Sequence, residues 1–386
     1  MKRILQICCY FYPHIGGIEQ VARDIAGALS GPGEFEQRIL CLNEDASDGH
    51  LTNHQRETIT ETIDGIPVTR CGSITKKASQ SISLTFPAEL DRIMNEFAPD
   101  IVIFHYPNPY EAFFFERYLS RKFKLIIFWH LDITRQKLLK KLFHGQSLRL
   151  LKRADRIIAT SPNYIEGSPY LSRFREKCVV IPCCINETRL AVTGKSESLA
   201  HKIREENAGK VVCFSIGRHV PYKGFSCLIQ ASKLLDDRFR FYIGGQGPLT
   251  EQLKAEAAGD EKITFLGRIS DEELIARYSA MDIFCFPSIT KNEAFGIALA
   301  EAMYFAKPAV TFTIPGSGVN YVCPDGETGI ECPNADAKAY AKALTRLADD
   351  PGLRARLGTA ARQRVSDNFL NRNFRDQILS LLTCNV

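Results

Sequence analysis

"VVCFSIGRHVPYKGFSCLIQA", residues 211 to 231, holds three kinds of structure in a row. Its first six residues are an apolar run of strand length, "GRHVPYKG" is a loop with glycine at each end, and "FSCLIQA" opens a stretch of helical periodicity. A continuously apolar strand feeding a helix is the repeating unit of a parallel sheet covered by helices on both faces.

Downstream the unit recurs. "FRFYIGG", "ITFLGR", "DIFCFPS" and "PAVTF" read as strands, with "PLTEQLKAEA", "DEELIARYSAM" and "AFGIALAEAM" as helices between them. Upstream, "RILQICCYF", "QRILCLN", "DIVIFHYP", "KLIIFWH", "RIIATSP" and "CVVIPC" read as strands, and "GIEQVARDIAGALS", "AELDRIMNEF" and "YEAFFFERYLSRK" as helices. From Asn186 to Lys210 the chain turns polar and loses its strand signal, which places a domain boundary near residue 188. The expectation is an α/β protein of two facing Rossmann-like domains with parallel sheets and a cleft between them. They span residues 1–188 and 189–366, and the amphipathic segment 367–386 is expected to cross back to the first.

A length of 386 residues suits two domains, each able to bury its own core. The opening "MKRILQICCYFYP" looks like a signal peptide only at first sight. Its apolar run is short, carries Gln6, stops at Pro13 and lacks a small-residue cleavage site, so it reads as a buried first strand. Nothing elsewhere approaches membrane-spanning length. The thirteen cysteines are odd in number, scattered through strands and free of any C-x-x-C pair. They fit reduced core residues of a cytoplasmic protein, with Cys183–Cys184 and Cys323–Cys332 as the places for a regulatory disulfide.

A net charge of +5 is too small to argue for nucleic acid. Its distribution is more informative. Between Arg135 and Arg153 lie seven Lys/Arg and no acid, interleaved with Leu and Phe. Such a run is either a solvated helix face or a basic amphipathic helix resting on anionic headgroups. On the second reading the protein sits peripherally on the inner face of a membrane.

Open parallel sheets bind ligands where their strands end, so the residues after each apolar run carry the functional argument. His14-Ile15-Gly16-Gly17 follows the first strand and precedes a helix, where paired glycines either make a tight turn or let backbone amides approach an anion. Arg218 and Lys223 lie five apart in the loop after the strand at 211. They are ordinary loop cations or two fixed charges aimed at a diphosphate. "YIGGQGPL" brings Gly245 to another sheet end, yet it is not G-x-G-x-x-G and no acid follows at the dinucleotide position; nor is there a P-loop. These absences count against a dehydrogenase and an NTPase.

"PSITKNEAFGIALAEAM" places Glu293 in a loop or cap and Glu301 about two turns into a helix starting near Ala294 to Gly296. In one straight helix the two would be roughly 80° apart, so paired acid/base work is not expected. Each either decorates a helix or serves a ligand: amides near Phe295, Gly296 and Ile297 can hold a phosphate, and Glu301 can accept from a ribose diol.

Taken together, "SIGRHVPYKGFSCLIQA", "FYIGGQGPL", "ITFLGRIS", "NEAFGIALAEAM", "GGIEQ" and "DGETGI" resemble the family 4 retaining glycosyltransferases of GT-B fold, the group 1 glycosyltransferases. The resemblance runs over nearly the whole chain and is strongest from 211 to 332. It implies transfer of a hexosyl group from a nucleotide diphosphate donor, with retention and without a cofactor or a required metal. By position, Arg218 and Lys223 would neutralise the departing diphosphate and Glu301 would hold the ribose. Glu293 and amides at Phe295, Gly296 and Ile297 would meet the donor sugar or phosphate. His130, ending "KLIIFWH", matches the family's histidine at the donor sugar, and Gly16 and Gly17 its glycine loop near the phosphates. His105 reads as a structural imidazole.

The family's acid before "DGETG" is replaced here by Asn320, which puts local contacts in question. The stretch "GSGVNYV…DGETG" looks like that of enzymes using GDP-mannose, with UDP-sugars as the alternative. The basic run 135–153 suits a saccharide or lipid-linked acceptor in polysaccharide or lipopolysaccharide assembly. A catalytically silent nucleotide-sugar-binding partner protein is the competing class, and the retained Arg218, Lys223, Glu293, Glu301 and His130 speak against it.

Overall fold

A computed structural model describes residues 1–14, 16–31, 33–44, 53–77, 80–133 and 137–383. The chain divides into two compact units, Met1–Pro182 with Phe374–Val386, and Cys183–Asn373.

The first unit is built on an eight-stranded sheet. From one edge its strands are Cys178–Val180, Arg156–Ala159, Lys124–Trp129, Ile101–Tyr106, Lys2–Ile7, Phe35–Asn43, Ile66–Gly72 and Ile59–Ile63. All pairings are parallel except the last, where Ile59–Ile63 runs antiparallel to its neighbour. The central strands are buried on both faces: Ile4, Leu5, Val102, Phe104, Ile126 and Phe128 have no exposed surface. That is why they read as unbroken apolar runs. Burying each such side chain stabilises by about 1.5–3 kcal/mol.

The hairpin at Ile59–Gly72 was not expected from hydrophobic runs. Its outer strand is mostly exposed and carries no apolar face. The turn itself supplies the missing signal, because Asp64 (φ 50°) and Gly65 (φ 81°) both adopt the left-handed conformation of a two-residue hairpin turn.

The second unit has a six-stranded, all-parallel sheet in the order Ile263–Gly267, Phe239–Gly244, Val211–Ile216, Ile283–Phe286, Ala309–Phe312, Gly329–Cys332. Strand order reverses between Val211–Ile216 and Ile283–Phe286. Sequential strands proceed one way from the first and the other way from the second, so the loops leaving these two diverge and open a crevice.

Within the polar stretch after Asn186, where no strand was expected, Gly194–Glu206 is a helix. A reciprocal cap starts it: Ser196 N–H donates to Thr193 Oγ1 at 3.1 Å and Thr193 N–H to Ser196 Oγ at 2.9 Å. Small residues on facing surfaces, Ala200 with Ala276 and Ala280, seat it against Asp271–Ala280. At the chain's end, Asn371–Thr383 is helical. Its last carbonyls accept from two first-unit lysines, Leu381 O from Lys124 Nζ at 2.7 Å and Leu382 O from Lys2 Nζ at 3.4 Å. Cations at a helix C-terminus satisfy its orphan acceptors.

The places considered for a disulfide hold none: Cys183, Cys184, Cys323 and Cys332 are all buried and not disulfide-bonded. Burial raises the Cys323 thiol to about 12, which suits an inert core residue. No helix among the described residues is long and apolar enough to cross a membrane.

Candidate active site

At the crevice of the second unit two loops meet, 217–224 after Val211–Ile216 and 287–296 after Ile283–Phe286. They are joined through backbone, with Ile289 N–H donating to Tyr222 O at 2.9 Å. Gly224 makes the join feasible. Its φ is +65°, and a Cβ there would stand 2.0 Å from Pro287 O, so only glycine fits.

This join brings Lys223 to Glu293. Lys223 Nζ lies 2.5 Å from Glu293 Oε2, and the two side chains are 15% and 11% exposed. Ser288 Oγ donates to the same carboxylate oxygen at 2.9 Å, and Ser317 Oγ donates to the Glu293 carbonyl. Lys223 also lies over the Phe286 ring, 5.2 Å from its centroid. Burial works to neutralise the ammonium, but the Glu293 carboxylate outweighs it and holds Lys223 above its ordinary value.

Arg218 is in a different state. It is exposed, and no described residue pairs with its guanidinium. The two cations are therefore not equivalent: one charge is compensated, the other is open. The backbone that carries Arg218 is nevertheless fixed. His219 N–H donates to Gln246 O at 3.1 Å, and His219 Nδ1 lies 2.9 Å from Thr250 Oγ1. Gly245 (φ +102°) and Gly247 belong to the same lock, since a Cβ on either would stand 2.0 Å from Gly217 O or 2.5 Å from His219 O. Backbone-to-backbone packing accounts for both glycines.

The helix next to the Glu293 loop is Ile297–Tyr304, so it starts later than the sequence reading placed it. Gly296 is the reason. It sits at φ +94° as the N-cap, where a Cβ would meet the Phe286 ring at 3.0 Å. Phe295 is buried and packs edge-on to Phe369 at 5.3 Å, so only its backbone can face a ligand. The first amides of the helix, from Ile297 onward, have no intrahelical acceptor.

Glu301 consequently lies about one turn into this helix rather than two. It is buried, 6% exposed, which removes the reading of a wet helix face. Tyr278 OH donates to its Oε2 at 3.0 Å, and Arg189 donates to Oε1. Arg189 also reaches Asp271 Oδ1 at 2.8 Å. Burial lifts the Glu301 carboxyl above its usual range, against the pull of Arg189. Neither Arg189 nor Tyr278 carried a signal in the sequence; each is identified by its partner alone. Asn320 is a staple of the chain after Ala309–Phe312, accepting from Ile314 N–H at 2.8 Å and donating to Phe312 O at 3.1 Å.

In the first unit, His130 follows Lys124–Trp129 and His105 lies in the adjacent strand Ile101–Tyr106. Both are buried. His105 Nδ1 is 2.9 Å from His130 Nε2, and His105 Nε2 is 3.1 Å from Gln6 Oε1. Burial lowers His105 to about 3 and His130 well below its ordinary value, with the neighbouring His105 adding to the latter shift. In both, burial favours the neutral imidazole.

Gly17 opens the helix Gly17–Ala28, with Gly16 as an extended N-cap. The two differ in surroundings. A Cβ at Gly17 would meet nothing within 4 Å, whereas at Gly16 it would stand 2.2 Å from Glu19 Oε2. Glu19 folds back over the helix start, and burial raises its carboxyl to about 7.

Two family descriptions match this chain, "Glycosyltransferase Family 4" over residues 15–189 and "Glycosyl transferases group 1" over 196–364. The O-antigen chain mannosyltransferase C of Escherichia coli is 28% identical over 386 residues, covering 99% of this chain and 98% of that protein. The D-rhamnosyltransferase WbpZ of Pseudomonas aeruginosa is 29% identical over 369 residues, covering 93% and 90%. Among solved structures, Anabaena HepE in complex with UDP and glucose superposes with a TM-score of 0.77 at 18% identity, covering all of both chains.

Two Rossmann-like units of this design are the halves of a GT-B glycosyltransferase fold. The chain belongs to the group 1, family 4 glycosyltransferases.

Proposed function

We propose that the protein transfers a hexosyl group, mannosyl from GDP-mannose, to a saccharide or lipid-linked acceptor during polysaccharide or lipopolysaccharide assembly. Transfer retains the anomeric configuration and needs no metal. The observation that carries this reading is the pair of unlike cations at the strand-order reversal: Lys223 compensated by Glu293, and Arg218 with its charge open. The two long relatives, an O-antigen chain mannosyltransferase and a D-rhamnosyltransferase, support sugar transfer in polysaccharide assembly.

As the bond to the anomeric carbon breaks, positive charge grows on the sugar and negative charge on the diphosphate. Arg218 meets that diphosphate with a fork of donors, and Lys223 turns from Glu293 toward it. Amides at Phe295, Gly296 and Ile297 hold the phosphate or sugar hydroxyls, Gly16 and Gly17 approach the phosphates, and the Gly245 backbone borders the donor. His130 and Glu293 contact the donor sugar, and Glu301 the ribose. The acceptor hydroxyl attacks from the face that the diphosphate leaves, and a phosphate oxygen takes its proton, so no protein nucleophile is required.

The test is incubation with GDP-mannose and an acceptor extract in the presence of EDTA, following GDP release and the product's anomeric coupling. Full turnover with retained configuration is expected. Transfer with inversion, or turnover abolished by EDTA and restored by a divalent ion, would overturn the mechanism. UDP-sugars are the second reading, favoured by the UDP and glucose bound in HepE. A thermal-shift panel of GDP, UDP and ADP separates them, because a ligand of the folded state alone raises its melting temperature.

Peripheral membrane attachment on the cytoplasmic side belongs to the same proposal. The basic segment includes the helix Lys137–Arg153. Arg135, at its start, lies outside the described residues. In the helix's later half Arg149 pairs with Glu116 at 2.9 Å, and Arg153 with Asp155 at 3.0 Å. The side chains of Lys137, Lys140 and Lys141 lie outside the described residues; with Arg135 and Lys152 they are the basic residues of the segment that this proposal assigns to lipid headgroups. Replacing Lys137, Lys140 and Lys141 by Gln should weaken binding to anionic vesicles, and unchanged binding would remove the membrane from the proposal.

A further inference from the structure

Gln6 is the odd residue of its strand. Its neighbours Ile4, Leu5 and Ile7 are fully buried hydrocarbons, Gln6 itself is 1% exposed, and its amide nitrogen has no partner among the described residues. Burying an amide with half its hydrogen-bonding capacity unmet costs on the order of 1–3 kcal/mol. What that amide does have is one contact, from its carbonyl oxygen to His105. Gln6 and His105 lie in adjacent strands and His130 directly follows the next strand, and the hydrogen bonds Gln6–His105–His130 run across the sheet in that order. The two imidazoles are nearly coplanar, 11° apart, and both lie near-parallel to the Phe128 ring, at 7° for His105 and 17° for His130.

We propose that Gln6 and His105 are positioning residues that lock His130 in a single tautomer, with hydrogen on Nε2 and the lone pair on Nδ1. With the Gln6 carbonyl facing His105, the chain of donors and acceptors allows one assignment. A carbonyl oxygen only accepts, so the His105 nitrogen facing Gln6 carries hydrogen. A neutral imidazole has one N–H, so His105 Nδ1 is an acceptor. The His130 nitrogen 2.9 Å away must then donate to it. His130 Nδ1 is left bare, with no partner among the described residues.

It follows that His130 acts as a fixed hydrogen-bond acceptor for a sugar hydroxyl, not as a general acid. This role rests on the reading above that His130 faces the donor sugar; the lock itself does not. Residues with no contact to substrate would thus select which donor hydroxyl is recognised, by dictating which partner must bring the proton.

The experiment is long-range proton–nitrogen NMR of the histidine side chains in 15N-labelled full-length protein at pH 7, with assignment by His105→Phe and His130→Asn. The wild-type protein should show both histidines as Nε2–H tautomers that do not titrate between pH 5.5 and 8. In Gln6→Leu, which suits a strand core, His130 should populate both tautomers, and the donor KM should rise about fivefold with kcat changed less. Finding His130 protonated on Nδ1 in the wild type, or an unchanged His130 spectrum in Gln6→Leu, would overturn the proposal. If the spectra behave as expected but His130→Asn and Gln6→Leu leave donor KM untouched, the lock stands and the placement of His130 at the sugar is what fails.

Discussion

Lys223 and Glu293, seventy positions apart, are bonded at 2.5 Å across two loops that touch through Gly224 and Pro287. The lysine expected to meet a phosphate is thus held by a protein carboxylate. Removing one partner strands the other charge in a mostly buried site, which costs about 3 kcal/mol. Lys223→Ala should therefore lower both turnover, by about 10²- to 10³-fold, and the melting temperature. Lys223→Met combined with Glu293→Leu should regain most of the stability and none of the activity. A double variant as unstable as the single one, measured by denaturant unfolding, would show that the pair is not coupled.

Arg218 has no such partner among the described residues, so its loss should be nearly silent for the fold. Arg218→Ala is expected to change unfolding free energy by less than about 0.5 kcal/mol, while weakening nucleotide diphosphate binding at least tenfold. Arg218→Lys should recover only part of that affinity, because a point charge replaces a fork of donors. Calorimetric titration with GDP and UDP reads the effect.

Arg189 holds Glu301 against the cost of its burial. Arg189→Ala should cost about 2 kcal/mol and leave Glu301 free to protonate. If Glu301 grips the ribose, the same variant should narrow the difference in affinity between a ribonucleotide and its 2′-deoxy form. Thermal shifts with the two nucleotides compare them directly; an unaltered difference would separate Arg189 from ribose recognition.

Glu19 gives a pH signature. Its folded carboxyl is raised to about 7, above the unfolded value of 4.5, so the folded state binds the proton more tightly. Stability from this group is then fully present at low pH and is lost as pH rises from 4.5 through 7, by about 3 kcal/mol in all. Glu19→Gln should melt at a higher temperature than the wild type at pH 8 and at nearly the same temperature at pH 4. A melting-temperature difference that does not depend on pH would contradict this.

Much of the second unit could be read in advance because its central strands, Val211–Ile216, Ile283–Phe286 and Ala309–Phe312, are buried on both faces and so appear as unbroken apolar runs. Gly329–Cys332, short and half-buried, gave no such run and was missed. The hairpin at Ile59–Gly72 was missed for the opposite reason: its signal lay in Asp64-Gly65, not in hydrophobicity. The start of Ile297–Tyr304 was placed too early because its boundary depends on the left-handed φ of Gly296, which composition does not reveal. Lys223 and Glu293 stood out from their loops, but their contact did not. Arg189 and Tyr278 could not be found at all, since they are 112 and 23 positions from Glu301 and meet it only through tertiary packing.

Gly224, Gly245 and Gly247 let three sheet-end loops share backbone rather than side chains. A rim assembled in this way separates scaffold from chemistry. The side chains of Arg218, Val220 and Tyr222 can be exchanged without disturbing the backbone contacts that place them, whereas any Cβ at the three glycines pushes the loops apart. A library randomised at Arg218, Val220 and Tyr222 should stay folded and vary in donor choice; one randomised at the three glycines should return glycine.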